Sequence, residues 1–157
     1  MDKRKYSLLG LLPLLAITLA FILSFEGCTP KPTEAPTTTV ITGTAQLPVS
    51  SSNNRVSYSF VSGGINYGKI TLVWFSSSVV SFEANGIVVG SGTTAPDTGY
   101  STPSMVSVEN SYFVKTDNAV HYARIDITLR DDNATSGYTT IGFNWVLQTE
   151  ANNRNLY

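Results

Sequence analysis

The sequence predicts an all-β protein: an antiparallel β-sandwich of about eight strands, immunoglobulin-like or jelly-roll-like, preceded by an N-terminal hydrophobic helix. Three observations predict it. After residue 40 apolar residues recur at every second position, as Val56, Tyr58 and Phe60 do against Ser57 and Ser59, which is the period of a strand and not of a helix. Turn-forming residues separate these runs at short intervals. The chain is 42% hydrophobic but only 13% charged, against about 25% charged in an average soluble domain. Ser, Thr, Asn and Gly fill the difference, a balance typical of secreted and envelope β proteins.

The N-terminal element comes first. Lys3, Arg4 and Lys5 form a basic block, and residues 6–25 (YSLLGLLPLLAITLAFILSF) carry no charge. A helix of this length reaches across a hydrocarbon core of about 30 Å. The same layout, basic then apolar, is that of a secretory signal. Both readings keep the basic block in the cytoplasm and put everything after Phe25 outside. The run lacks the polar stripe of a helix packed in a soluble domain.

The single cysteine, Cys28, stands where this run ends. The sequence Phe25-Glu26-Gly27-Cys28 resembles the lipobox of bacterial lipoproteins. That resemblance covers residues 1–28 and implies that Cys28 is lipidated and becomes the first residue of the mature chain. Gly27 and Cys28 match the pattern, while Phe25 replaces the usual Leu and Glu26 the usual Ala or Ser. An uncleaved transmembrane anchor and a cleaved, freely secreted form are the alternatives. A second resemblance is to archaeal type IV pilins, which join an apolar N-terminal helix to a Ser/Thr-rich β head. Their processing site precedes the apolar run, and Lys5-Tyr6 matches it poorly.

Residues 29–39, TPKPTEAPTTT, hold three prolines. Proline fixes φ and disfavours helix in the residue before it. The segment predicts an extended stalk of roughly 30 Å at ~3.1 Å per residue.

The folded domain is expected over 40–150, with 151–157 as a polar tail. Alternation places strands at 38–48, 54–61, 68–76, 78–84, 86–90, 105–116, 119–130 and 138–149, with Trp74 and Trp145 in the core. Asn85-Gly86 reads as a hairpin turn, as does Asp117-Asn118. Ser62-Gly63-Gly64 and Asp131-Asp132-Asn133 read as further breaks.

Chemistry-bearing patterns are sparse. One cysteine excludes an internal disulfide and a cysteine-built zinc site. From Val40 onward six Lys/Arg stand against eight Asp/Glu without a basic cluster, so a nucleic-acid partner is not expected. Phosphate-loop, dinucleotide and HExxH motifs are missing, as is a nucleophile elbow. The only histidine, His121, reads as a strand residue. Glu83, Asp97, Glu109, Asp126 and Glu150 are scattered carboxylates, the one basis for a small-hydrolase reading. Asp131, Asp132 and Asn133 offer the oxygen ligands that calcium takes, in a spacing unlike an EF-hand. Asn133-Ala134-Thr135 fits the N-glycosylation sequon. The longest break, residues 90–104, is long enough to be a functional loop. Asp97 and Tyr100 are its candidate ligand-binding residues.

The expectation is therefore a non-enzymatic module without cofactors. It sits on the extracytoplasmic side of the cell envelope, membrane-anchored, and contacts a protein or glycan. A filament or surface-layer subunit, with strand donation by 38–48, is the alternative.

Overall fold

Strands form where the two-residue alternation runs, because successive side chains of an extended chain point to opposite faces. The computed structural model describes residues 39–157 apart from positions 77, 118, 119 and 134. Those residues contain no helix and form nine strands: β1 (Val40–Ser50), β2 (Arg55–Ser62), β3 (Ile65–Ser76), β4 (Val79–Glu83), β5 (Gly86–Val89), β6 (Ser104–Met105), β7 (Ser111–Lys115), β8 (Tyr122–Asn133) and β9 (Tyr138–Gln148). The expected hydrophobic helix, the lipobox with Cys28 and the stalk through residue 38 lie outside the described residues.

The strands make two antiparallel sheets, one ordered β1-β9-β8-β7-β5 and the other β2-β3-β4-β6. Chain neighbours β2-β3-β4 and β7-β8-β9 run as meanders, unlike the A-B-E-D and C-F-G order of the immunoglobulin fold. The β2–β3 hairpin turns on Gly63 and Gly64, with φ of 57° and 80°, where two positive φ values match the twist of the flanking strands.

Both sheets contribute to one core. Phe60, Ile70, Leu72, Val80 and Phe82 come from the four-stranded sheet, and Ile125, Ile141, Phe143, Trp145 and Leu147 from the five-stranded one. Aromatic rings meet edge to face across it, Phe60 on Trp145 at 5.4 Å and Phe82 on Phe143 at 6.0 Å. Such pairs add to the stabilisation from burial alone. Trp145 is buried as expected, while Trp74 is only partly buried against the same cluster. The Trp145 ring lies over its cross-strand partner Gly43, where a Cβ would fall 2.4 Å from Cζ2.

Four sequence expectations change. Asn85-Gly86 is no hairpin: β4 belongs to the four-stranded sheet and β5 to the other, so the chain crosses between sheets there. Neither residue has positive φ, and a Cβ on Gly86 would sit 3.0 Å from Tyr100 Cβ. Close approach, not turn geometry, favours glycine. The expected strand 105–116 is two strands in different sheets, β6 and β7, split by a turn in which Asn110 N bonds to Ser107 O at 3.2 Å. The Tyr112 hydroxyl ties that corner, donating to Met105 O at 2.7 Å and accepting from Ser107 N at 2.9 Å. A bulge between Ile127 and Leu129 turns Leu129 outward, 38% exposed, and extends β8 through Asp131-Asp132-Asn133. Finally, residues 151–157 pack on the protein: Leu156 is buried, and its amide bonds to Thr93 O at 2.7 Å.

Candidate functional site

The polar half of the alternation in β2, β3 and β4 forms the outer face of the four-stranded sheet. Cross-strand register sets Ser57 beside Thr71 and Thr71 beside Glu83. The Ser57 and Thr71 hydroxyls bond at 2.8 Å. Arg55, one row along, reaches diagonally across β3 and grips both Glu83 oxygens, Nη1 to Oε1 at 3.3 Å and Nη2 to Oε2. The Glu83 hydrogen bond, reinforced by its charge, raises the Arg55 pKa further above its already high ordinary value.

One end of this face is closed by the β7–β8 turn. Gly68, at φ +97°, brings β3 so near that a Cβ there would lie 2.2 Å from Thr116 O. The next amide, Lys69 N, bonds to that oxygen at 3.0 Å. Asp117 is held in turn by His121: Oδ1 accepts from the His121 amide at 3.0 Å, and Oδ2 lies 2.8 Å from Nδ1. The His121 ring packs edge-on against Tyr67 at 5.2 Å. Between sheet and turn lies a groove of about 620 Å³, lined by Arg55, Asn66, Lys69, Thr71, Glu83 and Asp117, with Gly68, Ala84, Asn85 and Thr116 completing it. Two cations and two anions balance there. Lys69 takes part in none of the described ion pairs. Such a surface offers hydrogen-bond donors and acceptors side by side.

The candidates picked from sequence lie elsewhere. Asp97, its side chain 76% exposed, pairs with Arg154 at 2.8 Å. Tyr100 is turned inward with its hydroxyl buried and without a hydrogen-bond partner, and Lys115 Nζ sits 4.3 Å over its ring. Burial, the neighbouring Tyr122 and Asp97 push the Tyr100 pKa up to about 12, Arg154 opposing them. Neither residue lines the groove, so the long break is packed structure around Tyr100.

Asp131, Asp132 and Asn133 are consecutive strand residues, so Asp131 and Asp132 point to opposite faces. Asp132 is occupied by Arg130 Nε at 2.8 Å and Thr139 Oγ1 at 2.9 Å. Asn133, the sequon residue, accepts from Ser136 N at 2.9 Å in the hairpin turn. Among the described residues no group of three or more His, Cys, Asp or Glu is placed to hold a metal. Of the five scattered carboxylates only Glu83 lines the groove. Asp126 pairs with Arg124 at 3.1 Å, and Glu150 accepts from Asn153 at 3.0 Å.

Sequence reasoning passed over Arg55, Asn66, Lys69 and Asp117. The signal for the first and third was present, since they share one parity with Ser57, Ser59 and Thr71. No protein-family model matches the chain, and comparisons with curated proteins and with solved structures likewise give no match.

Proposed function

We propose that the protein is an envelope-displayed β-sandwich binding module, held at the membrane through its N-terminal segment, whose groove receives a polyhydroxylated, glycan-type ligand. The observation that carries this reading is the lining of the groove, a charge-balanced set of donors and acceptors on the outer face of the four-stranded sheet. Sugar hydroxyls both donate and accept, so they suit a surface where Arg55, Asn66 and Lys69 donate beside Glu83 and Asp117. Nothing in the groove pairs a free carboxylate with a second one for acid–base hydrolysis: Glu83 is gripped by Arg55 and Asp117 by His121. Binding without turnover is the function this supports.

The anchor follows from Cys28 at the exit of the apolar run. Two or three acyl chains on a processed N-terminus give stable attachment where one does not. An intact mass for residues 28–157 plus lipid supports this, and a full-length unmodified chain overturns it.

The binding reading is tested by screening the full chain in detergent against immobilised glycans, beside Lys69→Ala and Asn66→Ala. A hydrogen bond from a charged group contributes about 1.5–3 kcal/mol, so Lys69→Ala is expected to weaken the selected glycan at least about tenfold. Absence of glycan binding, or binding indifferent to both substitutions, rejects it.

A further inference from the structure

Each sheet has two edges, and an edge strand with free backbone groups is a template for another strand. Three of the four edges are blunted. β6 is two residues long. β2 is bulged between Ser59 and Val61. β5 is four residues long, and Ser101 bridges it with two bonds of 2.8 Å to Ile87. The fourth edge, β1, is eleven residues long, VITGTAQLPVS, and carries no charged side chain.

The hydrogen-bond phase of β1 is determined by its register. Thr149 N bonds to Thr39 O at 2.9 Å, in the register that pairs Val40 with Gln148. Bonded and non-bonded pairs alternate in an antiparallel ladder, so the odd residues 41–49 bond to β9. Val40, Thr42, Thr44, Gln46, Pro48 and Ser50 direct their backbone groups away from it. Two observations agree with that phase. Ser50 N is taken by Asn53 O at 3.1 Å, and proline, with no N–H to offer, occupies position 48, as edge prolines do. The open part of the edge is therefore Val40 to Gln46. Thr42, Thr44 and Gln46 are exposed there, and Ile41 and Ala45 are only partly buried.

We infer that this edge pairs with the same edge of a second copy, antiparallel, about a two-fold axis at Gly43. In that register Val40 opposes the copy's Gln46, and Thr42 its Thr44, on the outer face, where Thr–Thr pairs are favourable. Ile41 opposes Ala45 on the inner face, apolar against apolar, which extends the core of one copy into the other. The next pair would bring in Pro48, so the ladder ends there. An uncharged strand does not repel its copy, and a two-fold contact closes on itself. The five-stranded sheets would join into one of ten strands. β1 keeps its place on β9, with Leu47 and Val49 in the core, and so is added to, not given away.

The test uses the full chain in detergent. Sedimentation is expected to show a dimer, and hydrogen exchange to show the amides of Val40, Thr42, Thr44 and Gln46 becoming protected as concentration rises. Thr44→Pro removes an edge N–H without touching the β9 ladder. The double variant Thr42→Lys/Thr44→Lys sets lysines opposite lysines on an exposed face. Both are expected to abolish the dimer and that protection, the lysine variant with the melting temperature that the unaltered chain shows when diluted to monomer. Any of three results overturns the inference: a monomer at every concentration, a dimer that survives both variants, or an open ladder of higher oligomers.

Discussion

The outer faces of the two sheets are built by the same alternation and end differently. On the five-stranded sheet the outward set is polar over β1, with Thr42, Thr44 and Gln46, but holds an apolar patch over β5, β7 and the start of β8. Phe113 and Tyr122 are buried there beside Val88 and Val146, under a cover made by Ala95, Tyr100 and Leu156. Residues 90–104 and 149–157 form that cover together, joined by Ala95 N to Arg154 O at 2.9 Å and Leu156 N to Thr93 O at 2.7 Å. On the four-stranded sheet the outward set around the groove is polar, with Arg55, Ser57, Ser59, Lys69, Thr71 and Glu83, while Val73 and Ser81 on the same face are buried. The apolar outward patch gains by being covered, and the loop and the C-terminal segment lie over it and not over the polar outward residues beside it. A long loop is then a third layer of structure on one side, and the outward polar residues of β2, β3 and β4 supply the accessible surface on the other.

Four experiments sharpen that contrast. The largest effect is expected in the core common to both sheets: Trp145→Ala should cost about 3–5 kcal/mol, read by denaturant unfolding, and an unchanged midpoint would mean the strand faces are inverted. On the covered face, Leu156→Ala should cost about 2–3 kcal/mol. A smaller loss, within about 0.5 kcal/mol, would show that the C-terminal segment rests on the sheet without contributing to it.

The third is a pH effect. Tyr100 keeps its proton more tightly in the folded state, with a pKa of about 12 against about 10 unfolded. Its contribution is therefore complete below about pH 10 and is lost as pH rises toward 12. Alkaline melting should show this decline, and Tyr100→Phe should flatten it while leaving neutral-pH stability nearly unaltered, since the hydroxyl it removes is buried and unpartnered. An identical alkaline profile in the variant would place the decline elsewhere. The smallest effect belongs to the open face, where Lys69→Ala should leave the melting temperature as it is. A lower melting temperature would make Lys69 a structural residue and undercut its place in the groove.

Much of this was legible in single residues. Val56, Tyr58 and Phe60 against Ser57 and Ser59 marked β2, and Gly63-Gly64 marked its turn. β7 and β8 pair as the antiparallel neighbours expected on either side of Asp117, with a longer connection than a two-residue turn. Asn85-Gly86 misled because the turn signal is local, while the sheet each flanking strand joins is set by which core face Val80, Phe82 and Ile87 fill. Residues 105–116 misled because an apolar run looks the same whether it stays in one sheet or bends at a corner tied by Tyr112. Asp97 and Tyr100 drew attention as members of a long loop, and only packing showed one paired with Arg154 and the other turned inward. Arg55 and Lys69 carried a weak signal, since a polar residue on an outward parity is ordinary until the fold places a second wall beside it.

By itself the sequence determined the all-β class, most strand positions and the two faces of β2, β3, β9 and the start of β8, because these follow from a two-residue period and from local turn chemistry. Tertiary structure alone decided which strands share a sheet, that β1 is left as an edge, and that Gly68 brings the Thr116–Asp117 turn against β3 to close the groove. Those outcomes depend on contacts between residues far apart in the chain, where burial and close approach, not neighbouring side chains, select the arrangement.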